Sequence, residues 1–405
     1  MKILVVLYYF PPYNKVGARR WAKHAKYFYK HNTDFEIICA AFNETISPWH
    51  KEEKLLKPFT LKLPQKKRNV PLHLKRLPTN IIDKLFWKLS YWKYKYTTMK
   101  KVGNYNDPTI VLYNDYLEKC RLKLKGNQFT HLLISGGPFY YSKLIPELKK
   151  EFPEIKYCLD YRDYWEDSVI GLTKLQESYE LQLQQNVLNN TDLVLSPNLE
   201  MQLYYKEKFK KKSYCLPHCY DTDDIKIKSS RKSSNEIKLI YGGAFYNNID
   251  ENLVLIKEFI NQVSTHKIIS ADFYVSIKGY EESLKHHLIK RFDFIVSSEY
   301  FNKVQQADYV ILILPPNRVN AMSSKFFELV ALRKPIVYFG GAGDVSEYLI
   351  KHRLGYHVTI ENLTTVVNDI LSNINTQNIP DENYDVSLHT FEHQTKLLVD
   401  ILTQL

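Results

Sequence analysis

Ser323-Ser324-Lys325-Phe326-Phe327-Glu328-Leu329-Val330-Ala331-Leu332-Arg333-Lys334-Pro335-Ile336-Val337 reads as a helix, a tight turn and the start of a β-branched strand. Two serines at a helix start offer a cap and free backbone N–H groups, and the helix dipole there favours an anion such as a diphosphate. Lys325 adds a full positive charge beside them. Glu328 lies one turn further along the same face, where its two acceptor oxygens suit the two hydroxyls of a ribose. The competing reading of the same residues is a capped amphipathic helix whose Lys and Glu are simply solvated.

Helix-to-strand units of this kind recur along the chain. Ile3 to Tyr8 reads as strand, Gly17 to His31 as helix and Phe35 to Ala40 as strand. Further strands are expected at His131 to Ser135, Lys156 to Asp160, Asp192 to Ser196 and Ser213 to Leu216. The alternation predicts a doubly wound α/β layer, whose ligands bind beyond the strand C-termini. The loops Ser135-Gly136-Gly137-Pro138 and Asp160 to Asp163 are therefore expected at a crevice. The polar run Ser229 to Asn235 is the best interdomain linker. A second α/β unit follows it, with strands expected at Ile237 to Tyr241, Ala271 to Ile277, Asp293 to Val296, Tyr309 to Leu314 and Pro335 to Phe339. Tyr241-Gly242-Gly243 lets backbone approach a phosphate, or is turn chemistry only.

With 405 residues the chain exceeds one ordinary core and suggests two domains of roughly 200 residues each. A hydrophobic fraction of 44% with 25% charged residues is globular rather than disordered. The apolar run Ile3 to Phe10 ends at Pro11-Pro12 without a small-residue cleavage site, so it reads as a buried first strand rather than a signal peptide. Five cysteines, an odd number without paired spacing, argue against a disulfide framework and point to a cytoplasmic protein. The net charge of +12 is concentrated: Lys62 to Lys101 holds twelve Lys or Arg against one acid, Asp83. No nucleic-acid-binding module accompanies it, so nucleic acid is not the expected partner.

Several segments together resemble the retaining GT-B glycosyltransferases of family 4. Ser323 to Val337 is similar to that family's "PSKxxEYxAxGKPV" signature. Phe10-Pro11-Pro12 with Gly17 and Arg19-Arg20 resembles its first loop. Asp160-Tyr161-Arg162-Asp163-Tyr164-Trp165 resembles its "DxRDxW" segment, and Leu216 to Asp221 stands where "IPNGVD" is usual. Two positions depart from the pattern: Asn320 where the family has a second acid, and Arg333 where it has glycine.

The resemblance implies two Rossmann-like domains facing a central cleft: residues 1–228 for the acceptor, with a basic aromatic insertion near 62–101, and 236–388 for the donor. It also implies a crossover helix at 389–405 returning to the first domain. The implied reaction moves a sugar from a nucleotide diphosphate sugar to a glycan or lipid-linked acceptor with retention, in capsule, O-antigen or similar polysaccharide synthesis. No cofactor or metal ion is implied. Such transfer builds negative charge on the departing phosphate, which fixed positive groups must meet. The matching positions place Gly17, Gly243, Lys278, Ser323, Ser324, Lys325 and Glu328 at the donor and Asp160, Arg162 and Asp163 at the acceptor. Lys325 and Arg20 are the expected charge-stabilising groups and Asp163 the residue that takes or steers the acceptor proton. Lys278 and Arg20 also read as ordinary surface cations, and Asp160 with Arg162 as a loop-ordering ion pair. Asp221-Thr222-Asp223 is literally a DxD, a spacing able to share a divalent cation, but it lies just before the linker.

Within the basic segment, Ile81, Leu85, Leu89, Trp92 and Tyr96 fall on one helical face, with Lys84, Lys88 and Lys95 beside it and Trp87, Tyr91 and Tyr94 flanking. Basic residues that snorkel and aromatics at headgroup depth predict peripheral attachment to an anionic membrane, the inner face of the plasma membrane. The alternative is a helix packed on its own domain with a solvated basic face. Two further functions compete with transfer: a GT-B-like nucleotide-sugar epimerase, and a homologue that has lost catalysis.

Overall fold

The structure is a computed structural model that describes residues 1–13, 16–43, 48–66, 78–104, 106–126, 128–225, 235–245, 247–275, 280–316, 322–373, 379–381 and 383–405. Two compact units emerge: Met1–Leu216 together with Thr395–Leu405, and Pro217–Gln394. The linker expected at Ser229 to Asn235 lies almost wholly outside the described residues.

The first unit is built on seven parallel strands, β1 (Lys2–Leu7), β2 (Asp34–Ala40), β3 (Thr60–Leu63), β4 (His131–Ser135), β5 (Lys156–Asp160), β6 (Leu193–Ser196) and β7 (Ser213–Cys215), in the order β3-β2-β1-β4-β5-β6-β7. Both faces of β1 are sealed: Leu4 and Val6 enter one apolar layer, Ile3, Val5 and Leu7 the other. A parallel strand covered on both faces is continuously apolar, which is why Lys2–Leu7 reads KILVVL. The helix Val16–Lys30 places Trp21, Ala22, Ala25 and Phe28 in the second layer, and the helix Phe391–Thr403 adds Leu398 and Leu402 to it. His131 Nε2 reaches the Leu402 carbonyl oxygen at 2.8 Å, tying that last helix to β4.

The second unit has six parallel strands, β8 (Glu236–Gly242), β9 (Ile268–Tyr274), β10 (Ile289–Phe292), β11 (Tyr309–Ile313), β12 (Ile336–Phe339) and β13 (Gly355–Val358), ordered β10-β9-β8-β11-β12-β13. Its two layers again divide by alternation, Leu239 and Tyr241 on one side and Ile240 on the other. The helix Ser324–Ala331 contributes Phe326, Phe327, Leu329 and Val330 to the second layer.

Three strand expectations change. The strand expected at Asp293 to Val296 lies earlier, at Ile289–Phe292, where Arg291 and Phe292 register with Phe273 and Tyr274. Thr60–Leu63 and Gly355–Val358 are additional edge strands, each four residues long. In both sheets the order reverses beside the first strand, so each has its topological switch point at the C-terminal ends of two neighbours, β1 with β4 and β8 with β11. The five cysteines are free.

Candidate functional site

At the switch point of the second unit, β8 ends in Gly242 and the chain turns at Gly243 with φ of +141°, a backbone conformation that L side chains rarely adopt. A Cβ at Gly243 would stand 2.6 Å from Lys325 Nζ. The glycine and the lysine therefore occupy one small space. Lys325 Nζ also lies 4.4 Å from the centroid of the Tyr241 ring, whose electron-rich face attracts the cation. Burial depresses the Lys325 pKa to about 8, and the nearby Glu328 carboxylate opposes that shift only partly. An anion arriving here would meet a half-buried cation.

Ser323 caps the helix that carries this lysine. Its side chain accepts from the Phe326 N–H at 3.4 Å, and the helix begins at Ser324. The remaining first-turn N–H groups point out of the helix end, where the dipole adds partial positive charge. The structure thus brings Gly243, Ser323, Ser324, Lys325 and Glu328 together at the ends of β8 and β11. Lys278 and Asn320 lie outside the described residues.

Two aromatic members of this site carry no signal in a list of charged residues. Tyr241 supplies the ring beneath Lys325, and its hydroxyl donates to the Ala244 carbonyl at 3.2 Å. Tyr300 packs on Gly242, where any side chain would overlap its ring. Both read as core aromatics by composition; only the glycines facing them mark the close approach. Phe294 and Val296 are exposed.

In the first unit the switch point gathers a second group. Arg162 donates from Nε to the Gly136 carbonyl at 3.2 Å and from Nη2 to the Gly137 carbonyl. Its guanidinium lies 5.7 Å from the Tyr9 ring centroid, and a Cβ on Gly17 would meet its Nη1 at 2.5 Å. Asp163 is exposed beside Gly137. Gly17, Arg162 and Asp163 therefore share one edge.

Arg20 and Asp160, expected at phosphate and acceptor, are placed differently. Arg20 is 3% exposed and Asp160 fully buried. Arg20 donates to both Asp160 oxygens, at 3.0 and 3.2 Å, and to the Leu216 carbonyl at 2.7 Å. Trp21 Nε1 and Ser135 Oγ donate to the same carboxylate. Burial opposes ionisation of Asp160, yet the Arg20 charge and these donors outweigh it and hold the pKa below the usual range. Removing one partner would leave a buried charge unpaired, so the pair fastens β5 to the first helix. The Asp160 ion pair is with Arg20, not with Arg162.

The DxD begins a local turn. Asp221 Oδ1 accepts from the Asp223 N–H at 3.1 Å, and the Asp221 carbonyl accepts from the Asp224 N–H at 3.0 Å. That is an Asx-type turn.

No protein-family model matches the chain, and no curated protein matches it. Solved structures do. The sucrose-phosphate synthase of Thermosynechococcus elongatus is 10% identical, with 100% of this chain and 98% of that one covered and a TM-score of 0.62. OtsA in its apo form is 10% identical over 100% of both chains, TM-score 0.62. The UDP-GlcNAc 2-epimerase of Methanocaldococcus jannaschii is 12% identical over 100% of both, TM-score 0.56. Identities this low speak to architecture alone, and with two parallel-sheet α/β units in this order the chain has the GT-B fold.

Proposed function

We propose that this protein transfers a glycosyl group from a nucleotide diphosphate sugar to a glycan or lipid-linked acceptor. One observation carries the reading: a half-buried lysine, held over Tyr241 and against Gly243, stands at a capped helix N-terminus on the switch point of the second sheet. Lys325, with the N–H groups after Ser323 and Ser324, neutralises the charge that builds on the departing diphosphate. Glu328 accepts from the ribose hydroxyls. Lys278 is assigned as a further donor contact. Arg162 and Asp163 face the acceptor, Asp163 steering its proton. Retention follows the resemblance to family 4, because same-face attack lets the leaving phosphate take that proton.

The reaction runs without metal in this reading, with Lys325 and the helix N-terminus supplying the positive charge that a divalent ion would otherwise bring. The setting is surface-polysaccharide synthesis at the cytoplasmic face of the plasma membrane. Supporting it, the helix Ile81–Val102 exposes Ile81, Ile82, Leu85, Phe86, Leu89, Trp92 and Tyr96 to solvent. Trp87, Ser90, Tyr91 and Tyr94 form its half-covered face, and Lys84, Lys88 and Lys93 are exposed. No helix of the described residues is long and apolar enough to cross a membrane. In this reading the attachment is peripheral.

A second reading, a nucleotide-sugar epimerase, is favoured by the fold shared with a UDP-GlcNAc 2-epimerase. Donor consumption measured with and without a lipid-linked glycan separates the two. Transfer predicts turnover that depends on the acceptor and survives EDTA. Isomerisation without acceptor would select the epimerase, and activity lost in EDTA and restored by Mg²⁺ or Mn²⁺ would overturn the metal-free site.

A further inference from the structure

Beyond the residues assigned above, the first unit carries an aromatic shelf at the C-terminal end of β1. Tyr9 and Tyr13 stack at 4.6 Å between centroids with 18° between their planes, Tyr13 and Phe42 lie 4.5 Å apart, and Tyr9 and Phe42 6.1 Å. All three residues are half-buried; Tyr9 is covered by the Tyr13 ring and by the Arg162 guanidinium 5.7 Å from its centroid, so the stacking surface offered to a ligand falls to Tyr13 and Phe42. Tyr8 meets Tyr9 edge-on at 4.8 Å and Phe42 edge-on at 5.5 Å. Tyr8 also lines a cavity of about 260 Å³ together with Gln65, Lys66, Asn106, Pro108 and Val111. Shelf and cavity are therefore contiguous through one residue.

The chemistry of this surface is selective. Stacked phenyl faces present negative quadrupole density, which suits the slightly positive C–H face of a pyranose ring. Asn106, and Gln65 hydrogen-bonded to the Tyr8 hydroxyl, present neutral donors and acceptors, the groups that read hydroxyls. The one cation in the cavity lining, Lys66, is paired with Asp115 at 2.5 Å, so the cavity does not invite a phosphate. Its volume lies below the range of drug-sized ligand sites and suits a single ring.

We propose that Tyr9, Tyr13 and Phe42, with Tyr8, Gln65 and Asn106, form a subsite for one neutral pyranosyl unit of the acceptor. Naming that unit as acceptor rests on the transferase reading. The subsite sets acceptor specificity by stacking and hydroxyl readout and leaves the donor untouched.

Saturation-transfer-difference NMR of the full chain with methyl glycosides of glucose, galactose, mannose and N-acetylglucosamine at millimolar concentration tests this. At least one glycoside should receive saturation. Its affinity should fall tenfold or more in Tyr13→Ala and Phe42→Ala, and Tyr13→Phe should retain it. Thermal stabilisation by UDP or GDP should be equal in all of these, which also certifies their folding, with Phe42→Leu as the gentler variant if Phe42→Ala does not fold. No saturation of any glycoside in the wild type, or undiminished binding in the alanine variants, overturns the subsite. Glycoside binding at the shelf without any nucleotide response keeps the pyranose site and instead removes the transferase reading.

Discussion

Lys325 holds a charge where charge is costly. Its pKa near 8 in the folded protein lies below the ordinary 10.5, and burial is the larger cause. Between those two values the unfolded chain binds more protons, so stability rises as pH climbs from about 8 to 10.5, and the whole penalty is present at pH 7. Converted at 1.36 kcal/mol per unit, the drop from 10.5 to about 8 makes that penalty on the order of 3 kcal/mol. Lys325→Met should therefore raise the melting temperature of the ligand-free protein at pH 7 by several degrees, with the gain shrinking toward pH 10.5. The same variant should lose stabilisation by UDP and GDP and most of its turnover. A variant that is no more stable at pH 7, or that still binds nucleotide, would show the lysine to be solvated. In the wild type, nucleotide affinity should weaken as pH passes 8, where the free site loses its proton. Gly243→Ala places a methyl group 2.6 Å from Nζ on a backbone with φ of +141°, and should abolish nucleotide binding while Lys325→Arg only weakens it. Glu328→Gln keeps the shape and should cost roughly 1 to 3 kcal/mol of nucleotide and donor affinity alike, read by calorimetric titration.

The helix Ile81–Val102 divides its circumference three ways: an exposed apolar stripe from Ile81 through Leu85, Leu89, Trp92 and Tyr96, exposed lysines at 84, 88 and 93, and a half-covered aromatic side. A contiguous exposed apolar stripe on a single domain calls for a partner. Vesicles containing phosphatidylglycerol should pellet the protein, less so at high salt, and replacing Lys84, Lys88 and Lys93 by Glu should abolish pelleting. Equal pelleting of both proteins would leave the stripe to another partner. This helix was readable from sequence because its pattern is strong over six turns, but its orientation was not, since Trp87 and Tyr91 look as interfacial as Trp92 and only packing tells them apart. The same limit explains the strands. Long buried runs such as Lys2–Leu7 announce themselves, whereas Thr60–Leu63 and Gly355–Val358 are short, and the run Asp293 to Val296 competes with a strand one step earlier. At the site, Ser323 to Glu328 was legible because cap, cation and carboxylate are adjacent in the chain. Arg20 and Asp160 read as separate phosphate and acceptor contacts because a sequence does not reveal that they are buried against each other, and Tyr241 was hidden because its partner, Lys325, lies 84 positions away.

Across the whole molecule, the two units draw on different parts of the chain. Leu398 and Leu402, near the C-terminus, are 0% and 1% exposed within the first unit's second apolar layer, alongside Trp21, Phe28 and β1. His24 Nδ1 and Thr395 Oγ1 lie 2.8 Å apart, and both are buried. The first unit thus closes only when the last helix docks, a contact spanning nearly the whole sequence, whose loop-closure entropy must be met before it stabilises anything. The proposed nucleotide site lies in the other unit. Leu398→Ala should therefore cost about 2 to 5 kcal/mol through the cavity it leaves, and all of that loss should fall on the first unit. Differential scanning calorimetry with and without UDP or GDP assigns the transitions: the one that moves with nucleotide belongs to Pro217–Gln394, and the one that drops in Leu398→Ala should be the other. A single transition that both nucleotide and Leu398→Ala shift would mean that the units unfold as one cooperative body, and a nucleotide-sensitive transition lowered alone would place the last helix in the wrong core.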